Sequence, residues 1–407
     1  MKSLFKDLAT IQRDHWLMLM MLLVMKIGQF MFLPFLAIFL SVHEHMEPVM
    51  IGLVIGVGPL TFGISSLFAG VMVDYYGIRT TISLSLLFSG IIIYFFFYSH
   101  ATIWLILMSM LTGLTRSFFD IGSKSYGVLE FTDERKKLFF SLRSMFINTA
   151  AAIGPILGAY LTTIDATLIF KVIGILYIGL SVFSLFILKN KINKEHFENT
   201  SIYSSINKVF RSLATDKALL LLISICIIFW VVYSQLDSTL AQYLNASLTD
   251  GIKVYSLILA INAIGCATLQ IFMMQYTKHI NENVLAAVSM TIFAMSNLLI
   301  ASSLQIPMLV TAAFMIVLAE IIIMPLNDLL VTKIAPPHLM GSYYGAMGLG
   351  TLGLGIGPII GEFIYQYAGP TQVFVFCGVL CLSSVFLYRR LIGKMAVISS
   401  VVTDLSL

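Results

Sequence analysis

The chain is written as long apolar runs broken by short polar joints, without the mixed pattern of a water-facing fold. A run of about 20 apolar residues crosses a bilayer as a helix. Twelve such runs are legible, the first six near 16–42, 48–73, 79–99, 102–127, 139–163 and 167–188. The second six fall near 219–245, 253–276, 284–304, 307–331, 342–366 and 371–390. Between the sixth and seventh lies the longest polar stretch, Lys189 to Lys217, which reads as a solvated linker. The pattern predicts an all-α integral membrane protein with twelve transmembrane helices in two six-helix bundles, 1–188 and 219–407, joined by a cytoplasmic linker at 189–218. The first run is too long for a secretory signal and lacks a small-residue cleavage site, so it is expected to remain as a helix.

Composition agrees. Of 407 residues, 59% are hydrophobic and 11% charged, against about 25% charged in an ordinary soluble domain, so soluble-enzyme folds are excluded. The net charge of +4 is too slight for nucleic-acid binding and is more informative by position. Eighteen Lys and Arg fall in joints on one side of the predicted topology and only Lys253 in a joint on the other. Cytoplasmic loops are rich in basic residues, which predicts cytoplasmic termini in a multi-pass protein of a cell membrane, expected to be a bacterial cytoplasmic membrane. Cys226, Cys266, Cys377 and Cys381 lie inside apolar runs and read as buried, inert thiols. His43, Glu44, His45 and Glu47 crowd the first outer joint, where a metal site and a solvated loop are the alternatives.

An internal repeat supports the two-bundle reading. Gly154-Pro155-Ile156-Leu157-Gly158 in the fifth run matches Gly357-Pro358-Ile359-Ile360-Gly361 in the eleventh, with Pro155 and Pro358 203 residues apart. That offset is half the chain, as parallel transporter repeats require. After the second run comes Gly70-Val71-Met72-Val73-Asp74-Tyr75-Tyr76-Gly77-Ile78-Arg79. Here Gly77 permits a tight turn, and Asp74 can cap a neighbouring helix N-terminus. In the tenth run, Glu320 of Ala319-Glu320-Ile321-Ile322-Ile323-Met324-Pro325 lies 13 residues from the start at 307, about 20 Å deep by helix rise. A carboxylate at that depth must be protonated or paired.

With these motifs the chain resembles the major facilitator superfamily over its whole length, and within it the twelve-helix drug:proton antiporters. Tyr75 stands where that family's loop carries its first basic residue, while Asp74, Gly77 and Arg79 remain. The Gly-Pro-x-x-Gly motif is similar to the antiporter signature, and Glu320 followed by Pro325 looks like the acidic pattern of proton-coupled multidrug exporters. Asp237 matches a second acidic position of those exporters. The resemblance implies gating roles for Asp74, Gly77, Arg79, Gly154, Pro155, Gly158, Gly357, Pro358 and Gly361. It implies proton coupling through Glu320, then Asp237, with Asp120 as a further candidate.

The family's arginine early in the fourth helix is absent, and Arg116, Asp120 and Lys124 instead stand four residues apart on one helix stripe, where neighbours can pair. Lys26 lies ten residues into the first run, too deep for its ammonium to reach water easily. Embedded bases (Lys26, Arg116, Lys124, Arg143) fall in the first half and embedded acids (Asp237, Glu320, Asp328, Glu362) in the second. Lys26, Arg116, Phe30, Tyr233 and Trp230 are the candidates for lining a substrate cavity; local pairing of the charges is the alternative.

The expected function is proton-coupled export of small amphipathic molecules, of the multidrug efflux type, by alternating access. The alternative is a dedicated exporter of a zwitterionic metabolite such as a metallophore, peptide antibiotic or amino-acid derivative. The proton gradient is the energy source, with no cofactor expected; no GxxxxGK[ST] loop occurs. Expected partners are a small-molecule substrate, protons and membrane lipid, without nucleic acid, in a monomer. A membrane-embedded acyltransferase would need a nucleophile or His/Asp cluster, which the sequence does not offer, and a sensor would bind without accumulating its ligand.

Overall fold

The computed structural model describes residues 11–42, 44, 46, 48–96, 98, 101–128, 133–165, 167–188, 210–211, 213–277 and 279–404. The polar linker over 189–209 and 212, together with His43, His45 and Glu47, lies outside them. The described chain is helical: α1 (Arg13–Val42), α2 (Pro48–Tyr76), α3 (Ile78–Phe96), α4 (Thr102–Val128), α5 (Asp133–Ile164), α6 (Leu168–Ile187), α7 (Lys217–Asp237), α8 (Thr239–Ser247), α9 (Gly251–Thr277), α10 (Glu282–Ser302), α11 (Ile306–Ile334), α12 (Met340–Met347), α13 (Leu352–Ala368) and α14 (Pro370–Asp404). Among the described residues twelve spans are long and apolar enough to cross a membrane, which defines an all-helical, multi-pass membrane protein.

Two spans read as continuous are broken. The seventh divides into α7 and α8 at Ser238, whose Oγ donates to Ser234 O at 2.9 Å; back-bonding of this kind to the i−4 carbonyl bends helices. The eleventh divides into a 3-10 turn at Pro337–Leu339, then α12, a second 3-10 turn at Gly348–Thr351, and α13. Gly348 and Gly350 weaken the helix at that second turn.

The chain gathers into two compact units. The first holds Met1–Phe139, Phe146–Ser212 and Ala335–Leu349; the second holds Phe140–Met145, Leu213–Ile334 and Gly350–Leu407. Each sequence half therefore lends a short segment to the unit built mainly from the other. The two loans are repeat-related, because the 203-residue offset carries Phe140 onto Tyr343.

Lipid tails are as apolar as leucine, so helices in a membrane associate through close contact and interhelical hydrogen bonds. In the first unit α2 packs on α4, where a Cβ on Gly113 would collide with the carbonyl oxygen of Gly58. Nearby, Ser65 and Ser117 hydroxyls meet at 2.8 Å. The α3–α6 contact carries a Ser83–Ser184 hydroxyl pair at 2.5 Å. In the second unit α10 packs on α11 and α14, with Ser289 Oγ donating to Ala319 O at 2.8 Å. Large apolar side chains face outward, as lipid contact requires; Phe186 is 84% exposed.

Candidate transport sites

The loop between α2 and α3 turns on Gly77, whose φ of 86° suits glycine. One turn earlier Asp74 caps the N-terminus of α12: Gly341 N donates to its Oδ1 at 2.8 Å, Ser342 N to its Oδ2 at 2.7 Å and Ser342 Oγ to Oδ2 at 2.6 Å. These are the orphan donors of a helix start, and the carboxylate also meets the positive end of the helix dipole. A Cβ on Gly70 would come within 2.8 Å of Ser342 Cα, so α2 and α12 touch backbone to backbone. All of this lies within the first unit. Arg79, at the head of α3, keeps a buried Nε with no hydrogen-bond partner among the described residues.

The two Gly-Pro-x-x-Gly segments sit in α5 and α13, with Pro155 and Pro358 inside the helices. In the first unit a Cβ on Gly154 would approach Phe30 Cβ to 2.7 Å, on α1. In the second, a Cβ on Gly357 would strike Ser234 Oγ, on α7, and Gln235 Nε2 donates to Gly357 O at 2.7 Å. Gly361 packs against Gln235 as well, and Gly158 is buried. The sequence repeat is thus a packing repeat, with the fifth span close on the first and the eleventh close on the seventh.

In the first unit α1 and α4 bring Lys26, Asp120 and Lys124 together. Lys26 Nζ lies 3.5 Å from Asp120 Oδ1 and 3.1 Å from Gln29 Oε1. Lys124 Nζ lies 3.7 Å from Asp120 Oδ2, and 5.9 Å from the centre of the Tyr344 ring. Asp120 is therefore shared by two lysines, and Arg116, one turn earlier on the same stripe, forms no ion pair with it. The Arg116 Nε is buried with no hydrogen-bond partner among the described residues. Its electrostatic neighbours are Asp120 and Tyr177, and the Tyr177 hydroxyl donates to Met25 O.

In the second unit Glu320 is 3% exposed on α11. Asn262 Nδ2 of α9 donates to its Oε2 at 2.9 Å and Tyr233 Oη of α7 to the same oxygen at 3.4 Å. The Cys266 thiol, one turn beyond Asn262, lies beside the same carboxyl. Among the described residues no cation lies within ion-pair distance of Glu320. Tyr233 and Asn262 also line a cleft that contains Asp237, Leu240 and Ile258. Asp237 is exposed and ends α7 at the break, while Trp230 is half-buried against the Tyr233 ring, centroids 5.5 Å apart. Phe30 is half-buried.

The other embedded charges have partners. Arg143 Nη1 lies 3.6 Å from Asp328 Oδ2 within the second unit, and exposed Glu362 accepts from Gln242 Nε2 at 3.3 Å. Asn262, Gln29 and Gln235 did not stand out in the sequence, and Cys266 did so only as a buried, inert thiol. The signal for Asn262 was present, as a lone amide in the run Leu257-Ile258-Leu259-Ala260-Ile261. Cys266 reads as inert until Glu320 is seen beside it.

The Major Facilitator Superfamily profile matches residues 18–351 and 238–397, and the chain belongs to that family. It is 29% identical over 381 residues to an uncharacterized MFS-type transporter, YqjV, of Bacillus subtilis, covering 89% of this chain and 90% of that one. It is 25% identical to the multidrug resistance protein MdtH of Aeromonas salmonicida over 85% of each chain. Among solved structures, the human organic anion transporter MFSD10 matches with a TM-score of 0.75 at 16% identity, over 93% of this chain and 100% of that one. The Escherichia coli fucose:proton symporter FucP matches with a TM-score of 0.73 at 13% identity, over 93% and 99%. The chain is a membrane transporter of this superfamily.

Proposed function

We propose that this transporter is a proton-coupled exporter of small amphipathic molecules, working by alternating access with both termini in the cytoplasm. The observation that carries the reading is Glu320: a carboxyl buried to 3% exposure, held by neutral donors, with no cation in ion-pair reach among the described residues. A buried carboxyl in a salt bridge cannot gain a proton without breaking the pair, whereas this one can change protonation state while its neighbours re-orient. Tyr233 can donate or accept, and the Asn262 amide offers either its nitrogen or its oxygen. Asp237, exposed in the cleft that Tyr233 and Asn262 also line, assists proton entry. Proton and cargo disfavour each other's binding, and each protonation state biases one conformation. The Asp74 clasp on α12 is a contact that one of those conformations must release.

The multidrug resistance relative supports export of drug-like cargo, and the bacterial relatives support a bacterial cytoplasmic membrane. The test is substrate-induced proton movement in proteoliposomes, with a panel of lipophilic cations and zwitterionic metabolites, comparing the native chain with Glu320→Gln. Proton release that the native chain shows and Glu320→Gln loses is the expected result. Coupling retained in Glu320→Gln but lost in Asp237→Asn moves the carrier to Asp237. No proton movement with any cargo sinks the exporter reading.

A further inference from the structure

Lys26, Arg116 and Lys124 are three cations on α1 and α4, and the described ion pairs join Asp120 to the two lysines. Lys26 and Asp120 are only 9% and 8% exposed, so water screens them poorly. Asp120 divides its two oxygens between the lysines at 3.5 and 3.7 Å, longer than the roughly 2.7–2.9 Å of a tight charge-assisted hydrogen bond. Arg116 is left over. Its side chain is partly accessible, while its Nε is shielded and has no hydrogen-bond partner among the described residues. A guanidinium carries five donors and cannot shed its proton inside a protein. An embedded charge without a partner is costly in a membrane and marks a site where a counter-charge is delivered.

We propose that Arg116, assisted by Lys26, binds the carboxylate of the transported molecule, which makes an organic anion or zwitterion the cargo class. This rests on the exporter reading for the word cargo, but the binding chemistry stands on the first unit alone. A guanidinium matches a carboxylate in a two-pronged, planar geometry that an ammonium cannot reproduce. Cargo arriving with a carboxylate supplies Arg116 with an anion, while Lys26 and Lys124 stay beside Asp120. Lys26, 3.5 Å from Asp120 and 3.1 Å from Gln29, is the second cation of the site.

The test is thermal unfolding of the purified full chain in detergent with three probes on one skeleton: 1-naphthoate, its methyl ester and 1-naphthylmethylammonium. A ligand that binds only the folded state raises the midpoint in a saturable way. Naphthoate is expected to raise it, and the ester and the ammonium are not. Arg116→Gln should abolish the shift, Arg116→Lys should weaken it several-fold, and Lys253→Gln, an exposed control, should leave it intact. Equal responses to acid and ester, no saturable response to naphthoate at millimolar concentration, or an unchanged response in Arg116→Gln each overturn the proposal. So does an equal response to inorganic phosphate, which marks a general anion pocket. If Arg116→Gln does not fold, the acid, ester and phosphate arms on the native chain and on Arg116→Lys still decide. Arg116 is read by the naphthoate shift in detergent and Glu320 by proton movement in proteoliposomes, so failure at either residue shows in a different measurement.

Discussion

Arg116 and Glu320 stand one position apart in the repeat, since the 203-residue offset carries Arg116 to Ala319. Their surroundings are opposite in kind. Arg116 belongs to a cluster of formal charges, with Asp120 divided between Lys26 and Lys124. Glu320 belongs to a cluster of neutral dipoles, an amide, a phenol and a thiol. A network of fixed charges resists any change in the charge of one member, because the others lose their compensation. A shell of neutral dipoles tolerates such a change by re-orienting. Neighbouring positions of the repeat thus hold a permanent charge in the first unit and, in the second, a carboxyl among neutral donors.

The sharpest way to break this contrast is Asp120→Asn, which removes the first cluster's acid and leaves buried cations uncompensated. Breaking a buried pair from one side costs about 3–5 kcal/mol, so a large fall in the unfolding midpoint of the full chain in detergent is expected. Adding Lys26→Gln to that variant should recover part of the loss, because it removes one surplus cation. A midpoint that moves no more than that of the exposed control Lys253→Gln would show that the first cluster is solvated after all.

Next in size is Asn262→Leu, which deletes the 2.9 Å donor to Glu320. A hydrogen bond to a charged group contributes about 1.5–3 kcal/mol, so proton-coupled flux should fall about ten- to hundredfold. The unfolding midpoint should move far less than in Asp120→Asn, because a neutral shell loses one dipole rather than a counter-charge. Undiminished coupled flux would remove Asn262 from the mechanism and weaken the case for Glu320 as carrier.

The two proline-glycine kinks test whether the repeat is energetic as well as geometric. Gly154→Ala meets Phe30 Cβ at 2.7 Å and Gly357→Ala meets Ser234 Oγ. Overpacking of this kind costs about 1–3 kcal/mol, and both variants should lose stability in the same direction. Gly179, where a Cβ would meet nothing within 4 Å, is the control. If Gly154→Ala behaves like Gly179→Ala, the α1–α5 contact is looser than its counterpart.

Much of the fold was legible because a bilayer imposes its rules on the sequence directly: span length, joint polarity and the 203-residue repeat all survive without tertiary knowledge. The breaks at Ser238 and at Gly348–Thr351 were not legible, since a serine or glycine within an apolar run bends the helix only when its neighbours allow it. For the candidate sites, Glu320, Lys26 and Asp120 stood out as charges at depth. Which cation Asp120 would hold did not, because the four-residue stripe favours Arg116 and Lys124 equally and Lys26 arrives from another helix. The neutral donors around Glu320 escaped for the same reason, since α7, α9 and α11 meet only in the fold.

The last and smallest test concerns the Asp74 clasp on α12. Asp74 Oδ2 serves both Ser342 N and Ser342 Oγ while Oδ1 serves Gly341 N. An asparagine has one acceptor oxygen, so Asp74→Asn turns an amide nitrogen toward a donor and drops the charge facing the helix dipole. Loss of a cap costs about 0.5–2 kcal/mol, which orders the variants as Asp74→Ala largest, Asp74→Asn intermediate and Ser342→Ala smallest in lost stability. If Asp74→Asn equals the native chain in unfolding midpoint, the dipole and the second oxygen contribute nothing, and the clasp is a turn that happens to lie near α12. If the predicted order holds, Asp74 caps α12 through both its charge and its second oxygen, and the first unit carries that latch beside its fixed charge cluster.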